Sequence, residues 1–211
     1  MRRNLLAALL AFICTVGATP GHAVESNPVA ELQPSNFAHQ LGGYYGVAEK
    51  ITDEIILRRL TPEYYNFPQK IDDSIKNQKE EVYLLARADS ATAFGRSKGM
   101  ELRLINGTEN QQSFPSSDHR LFIVQEAIDE TGEWKPVEYF PTSWCGNSYR
   151  HVLLDPGEHW LFPTPKYEGT FSTTLRFSMS IDGNKVLHSN EFKGSVNPVQ
   201  FKKNEDTPLW R

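Results

Sequence analysis

The chain has 211 residues, 39% of them hydrophobic, with 22 Lys and Arg against 26 Asp and Glu and a formal net charge of −4. An acidic balance argues against nucleic acid, whose phosphates attract basic patches, and no polybasic segment is present for an anionic membrane surface. The length suffices for one ordinary core, or for a helical segment beside a small sandwich.

Met1-Arg2-Arg3-Asn4 is a short basic start, Leu5 to Ala18 is apolar and uncharged, and Thr19-Pro20-Gly21-His22-Ala23 follows. This is the plan of a secretory signal peptide over residues 1–23, cleaved after Ala23. The apolar run is shorter than the roughly 20 residues a membrane span needs, and no later stretch suits a span. Ala11-Phe12-Ile13 before Cys14 does not suit a lipid-attachment site. With Cys14 removed, Cys145 stands alone and no intramolecular disulfide forms. An exported chain without disulfides fits a bacterial periplasm, or the extracellular space, better than a disulfide-dense secreted module.

Residues 24–43 read as a flexible leader of Pro, Asn, Ser and Glu. Residues 44–95 read as a helical segment that packs on the rest. Tyr44, Val47, Ala48, Ile51, Ile55 and Leu60 recur at helical spacing, and Thr61-Pro62 ends that run. A second helix is predicted from Pro68, with Ile71, Ile75, Val82, Leu85 and Ala86 on one face and Gly95 just past its end. The competing reading is a strand over Val82 to Ala88. Val82-Tyr83-Leu84-Leu85 does not alternate, which favours the helix.

After Gly99 the apolar period becomes two. Met100, Leu102 and Leu104 alternate with Glu101 and Arg103. Further strands are predicted over Arg120 to Ile128, Glu133 to Phe140, Tyr149 to Leu154 and Glu158 to Phe162, with loops at Pro141 to Asn147 and Pro163 to Gly169. The clearest is Thr170 to Asp182, where Phe171, Thr173, Leu175, Phe177, Met179 and Ile181 share one face. Asp182-Gly183-Asn184 turns it into a hairpin with Lys185 to Ser189, and Glu191 to Val196 adds an edge. About seven short strands over residues 99–201, with turns between them, predict a sandwich, followed by a tail at 202–211. The expected class is α+β: a helical segment, then an antiparallel β-sandwich. Its strand count and length are similar to those of immunoglobulin-like and fibronectin-type modules. The Cys–Trp–Cys core of immunoglobulin domains is missing, so the likeness is one of architecture.

Three site readings follow. The loop Pro141 to Ser148 holds Trp144 and Cys145. A thiol hydrolase would use Cys145 as nucleophile, His151 or His159 as base and Asp155 as orienter, because a reactive thiol needs a nearby base. The local sequence lacks the surroundings of known cysteine-protease classes, and on strands His151 and His159 are expected to face solvent or cap a turn. Exposed Trp134, Tyr139, Trp144 and Tyr167 would suit a ligand platform, as in a carbohydrate-binding module or protease inhibitor. No histidine or cysteine spacing suggests a metal, and no motif calls for a cofactor. Asn106-Gly107-Thr108 matches a glycosylation sequon but reads as a turn. The leading expectation is an exported, non-catalytic interaction protein whose partner is a protein or glycan of the cell envelope.

Overall fold

The computed structural model describes residues 40–41, 44–45, 66–73, 75, 80–95, 97–117, 119–140, 149–182 and 185–202. They fall within one unit, 32–211. In chain order the strands are β1 (Gln40–Leu41), β2 (Tyr44–Tyr45), β3 (Gln69–Lys70), β4 (Val82–Phe94) and β5 (Ser97–Asn106). There follow β6 (Gln112–Ser117), β7 (Arg120–Leu121), β8 (Ile123–Ile128), β9 (Trp134–Pro136) and β10 (Glu138–Tyr139). The last are β11 (Tyr149–Leu154), β12 (Glu158–Pro165), β13 (Phe171–Ser180), β14 (Val186–His188) and β15 (Phe192–Val196), before a single 3-10 turn at Pro198–Phe201. The described residues are thus all-β, and none forms an α-helix or a helix able to cross a membrane.

One sheet has the order β3-β12-β5-β4, antiparallel throughout. Its inner face carries Leu84, Ala86, Met100, Leu102, Leu104, Trp160 and Phe162, all in the main core. Its outer face is also covered. Tyr83 and Ile105 are buried there beneath Ile75, with Ile71 and Leu85 packed alongside. A strand buried on both faces reads as a continuous apolar run, not an alternating one. That is why Val82-Tyr83-Leu84-Leu85 looked unlike a strand. The helix expected to end near Gly95 is therefore corrected over Val82–Phe94, the longest strand among the described residues. The expected helix start is corrected at Tyr44–Tyr45, which pairs antiparallel with β7. Residues 46–65 of that segment lie outside the described residues. Within the expected leader, β1 pairs parallel with β10.

The opposing layer contains two further sheets, β11-β6-β7-β2 and a five-stranded one built on β14-β13-β8-β9, where β15 also pairs β13. β7 and β8 are separated only by Phe122, and Ser180 N–H donates to the Phe122 carbonyl at 3.1 Å, so the two sheets run into one another. Phe114, Leu121, Ile123, Val152, Leu154, Phe177 and Met179 face the same core as the first sheet. Packed antiparallel sheets with alternating inner residues are consistent with a β-sandwich. β13 sits at the centre of its sheet, and Leu175, Phe177 and Met179 on its inner face are buried, as its alternation predicts. β14 returns antiparallel beside it, as the Asp182 turn predicts.

Two strands run through prolines, one where a loop was expected at Pro163 and one where no element was predicted. β12 continues through Pro163 and Pro165, where it pairs β5 but not β3. β6 holds Pro115 where it pairs β11 but not yet β7. A residue without N–H is tolerated on a strand that has a partner on one side only.

The layers are also joined by hydrogen bonds. Between β14 and β15 the hairpin bulges. Ser189 N–H donates to the Phe177 carbonyl at 2.9 Å, and the Ser189 hydroxyl, in place of a backbone group, accepts the Phe177 N–H at 2.9 Å. Asn190 is thereby turned toward β4. Its Oδ1 accepts the Ala86 N–H at 2.8 Å and its Nδ2 donates to the Ala86 carbonyl at 3.0 Å. The side-chain amide thus stands in for a backbone unit at the edge of β4. Asn190→Ala is expected to cost about 1–3 kcal/mol, as two unmade backbone bonds would. Its urea midpoint, compared with wild type, measures this; an unshifted midpoint would mean water replaces the amide without loss.

Candidate functional site

The predicted thiol site is not assembled by the described residues. Cys145 and Trp144 lie outside them. His151 is exposed on β11, because Val152 and Leu154 on that strand face the core. His159 is buried at 2% exposure on β12, against the expectation of a solvent-facing ring. It shares the outer face of the first sheet with Ile105, its register partner on β5. His151 and His159 therefore belong to different sheets and turn away from the core between them. Asp155 orients neither; its Oδ1 accepts Gln111 Nε2 at 2.6 Å. Among the described residues no group of His, Cys, Asp and Glu is placed to hold a metal.

The sequon is consumed by folding. Asn106 is fully buried, its Nδ2 donates to the carbonyls of Asn110 and Leu154 at 2.8 and 3.0 Å, and its Oδ1 accepts both the N–H and the hydroxyl of Thr108. The reading as a turn holds for that reason.

The aromatic candidates separate. Tyr167 is buried at 4% exposure, and its hydroxyl donates to Glu138 Oε1 at 2.9 Å. Glu138 is itself buried, and its Oε2 accepts the Gln125 N–H at 2.8 Å while Oε1 accepts Gln125 Nε2 at 3.2 Å. Gln125 Nε2 also donates to the Pro165 carbonyl at 2.8 Å. This buried carboxyl group is held by several donors, as a buried polar group requires. Tyr167 is thus a strut of that network and not a platform residue. Trp134 and Tyr139 do lie at the outer side of the β8–β13 sheet. The Tyr139 hydroxyl donates to the Gln200 carbonyl at 2.9 Å, with the Pro136 carbonyl a second acceptor at 3.1 Å, and burial pushes its pKa above the usual value. Arg176 sits 4.1 Å over the Trp134 ring and donates from Nε to Glu126 Oε2 at 2.9 Å. Glu126 Oε2 is also 3.9 Å from Nδ1 of His188. Burial and then the Arg176 charge hold the His188 pKa below its ordinary value, with Glu126 opposing.

Next to that cluster, on the same outer face, is a groove the sequence did not single out. Phe122, Val124, Pro136, Tyr139, Phe140 and Val186 give it apolar walls, Ser178 and Ser180 supply hydroxyl-bearing residues, and the buried Glu138 borders it. Its volume is about 420 Å³, within the ~300–1,000 Å³ of small-ligand sites. The register explains its composition. Val124 lies opposite Ser178, and Ser180 opposite Val186, so one outward row carries small residues flanked by aliphatic ones. Phe122 and Phe140 meet edge to face, with centroids 5.6 Å apart and planes at 74°. The only sequence signal was the outward set of β8 and β13, Val124 and Ser178, polar enough in sum to resemble a solvated face.

No protein-family model and no curated protein sequence matches this chain.

Proposed function

We propose that this is an exported, non-catalytic binding protein, built on an immunoglobulin-like β-sandwich, that takes an apolar side chain of a protein partner into the Phe122–Val186 groove. The observation that carries this is the groove itself, an open apolar hollow on an outer sheet face. Exposed apolar concavities are where anchoring side chains of partners seat. A protein partner is favoured over a glycan by ring geometry. Sugar rings stack on flat exposed aromatics, whereas Phe122 and Phe140 are steeply inclined and the Trp134 face is occupied by Arg176.

The test places a photo-crosslinking amino acid at Val186, which is 47% exposed, and at Asp89 on the exposed part of β4 as a control. A discrete adduct with a protein of the native envelope is expected from position 186 and not from 89. Val186→Asp, combined with a crosslinker at Ser180, should reduce that adduct by about tenfold or more, since a buried unpaired charge costs over 1.4 kcal/mol. Its melting temperature should stay near wild type, because Val186 is largely exposed. Equal adducts from both positions, or an adduct indifferent to Val186→Asp, would remove the groove from consideration.

A further inference from the structure

On the far side of the molecule from the groove's sheet, we propose that the stretch from Gln69 to Ile75 is a proton-released strap, held down at neutral pH and let go when His159 beneath it is protonated. The geometry is that of a short cover over a buried imidazole. Gln69 and Lys70 form β3 and pair with His159 and Glu158 at the start of β12. Lys70 Nζ lies 2.9 Å from Glu158 Oε1, and the Ile71 N–H donates to the Gly157 carbonyl at 2.9 Å. Ile71 and the fully buried Ile75 pack on Tyr83, Leu85 and Ile105 of the sheet below. These attachments hold the strap to the sheet. The β3 pairing falls on His159 itself, whose ring nitrogen Nδ1 is buried with no hydrogen-bond partner.

The charged groups described around the imidazole set the balance. Burial is the largest influence and disfavours the imidazolium, and the Arg103 guanidinium on β5 acts in the same direction. Asp72 on the strap, the Gln69 backbone and Glu101 on β5 pull the other way but do not prevail, so the folded pKa lies below the ordinary 6.5. Lys70 and Glu158 offset each other beside it. From β4, Arg87 lies opposite Glu101, and the Tyr83 hydroxyl, raised above 10.0 by burial, stays neutral across this range. The sign follows. The closed strap holds the neutral ring, so its hold is complete above pH 6.5 and weakens as pH falls from there to the lower, closed-state value. Opening the strap returns the ring to water and relieves the largest penalty, so the proton and the strap compete for the same place. Release then needs no denaturation of the core, which lies on the other face of the sheet.

Hydrogen exchange of the full chain tests this. Protection of the Ile71 amide, corrected for intrinsic exchange, is expected to fall as pH drops from 6.5 to the closed-state pKa, with a slope of up to about tenfold per pH unit for one linked proton, and to level off below it. Protection of the Leu104 and Phe177 amides should hold over the same range. In His159→Gln, whose side chain does not titrate, the Ile71 amide should lose this dependence, while His188→Gln should keep it. A proton-resonance titration of wild-type His159 gives a second reading if His159→Gln does not fold. Three results would overturn the strap: Ile71 protection constant from pH 7.5 to 4.5, Ile71 and core amides losing protection together, or a His159 pKa at or above 6.5.

Discussion

Phe177→Ala is expected to lower the free energy of unfolding by about 3–5 kcal/mol, the usual range for removing a buried aromatic ring. Phe177 is fully buried in the main core, and its ring lies 5.9 Å from that of Phe192, tilted by 31°. It sits on the central strand of its sheet, with β8 on one side and the Ser189 bulge on the other, so neither neighbour is free to collapse into the vacated space. A loss of this size is a large part of the roughly 5–15 kcal/mol that holds a domain together. Arg176→Ala, one residue away on the outer face, removes an ion pair and a ring contact that are both partly exposed, at 19% for the arginine side chain. It should cost about 1–2 kcal/mol, more than a free surface residue and less than Phe177. Guanidinium-chloride midpoints for the two variants give the comparison. A larger loss for Arg176→Ala would contradict the assignment of inner and outer faces.

Gly169→Ala should be as damaging for the opposite reason. A Cβ at Gly169 would stand 2.1 Å from the Val196 carbonyl carbon, 2.3 Å from its oxygen and 2.4 Å from the Asn197 nitrogen. All three are backbone atoms, so no side-chain rotation relieves the overlap. Val196 is fully buried in the second core cluster with Leu175 and Tyr167, and the Gly169 N–H donates to the Ser195 hydroxyl at 3.0 Å. The methyl group must therefore push β15 away from β13 or break that cluster, at a cost of about 3 kcal/mol or more. Gly132→Ala is the control. Gly132 has φ +86° with open space around the missing Cβ, so only the backbone preference is lost, about 1–2 kcal/mol. Thermal melts of the two variants should rank in that order.

The elements legible in the sequence were those with one wet face and one dry one. β13 alternates, and its inner residues Leu175, Phe177 and Met179 were assigned correctly for that reason, while β8 and β11 were legible as strands without their inner faces. β4 was not legible because Ile71 and Ile75 cover its second face, and such a cover, distant in sequence, leaves no periodic trace. β6 has Phe114 as its one large apolar residue and a proline beside it, so its strand character comes from pairing with β11. At the site, the polar and aromatic candidates were chosen one residue at a time. His159 and Tyr167 proved to be interior groups because β5 and Glu138 surround them, which neighbours in sequence do not disclose. The groove depends on register across β8, β13 and β14, and register is a property of pairs of strands.

The amide of Asn190 has a consequence for how the chain reaches its fold. It joins residues 104 positions apart in sequence, and the strands it connects belong to opposite layers. β13, with the buried residues that the core closes upon, is also made late in the chain. Contacts this distant reward the chain only after a long loop has been closed, which places folding in the millisecond-to-second range of all-β domains. A nascent chain that has emerged only through β12 has the β4–β5 hairpin but neither Phe177 to fill the core nor Asn190 to join its layers. The folded state therefore waits for β13 to β15, and until they are made the two layers have neither the ring that fills the core between them nor the amide that ties them.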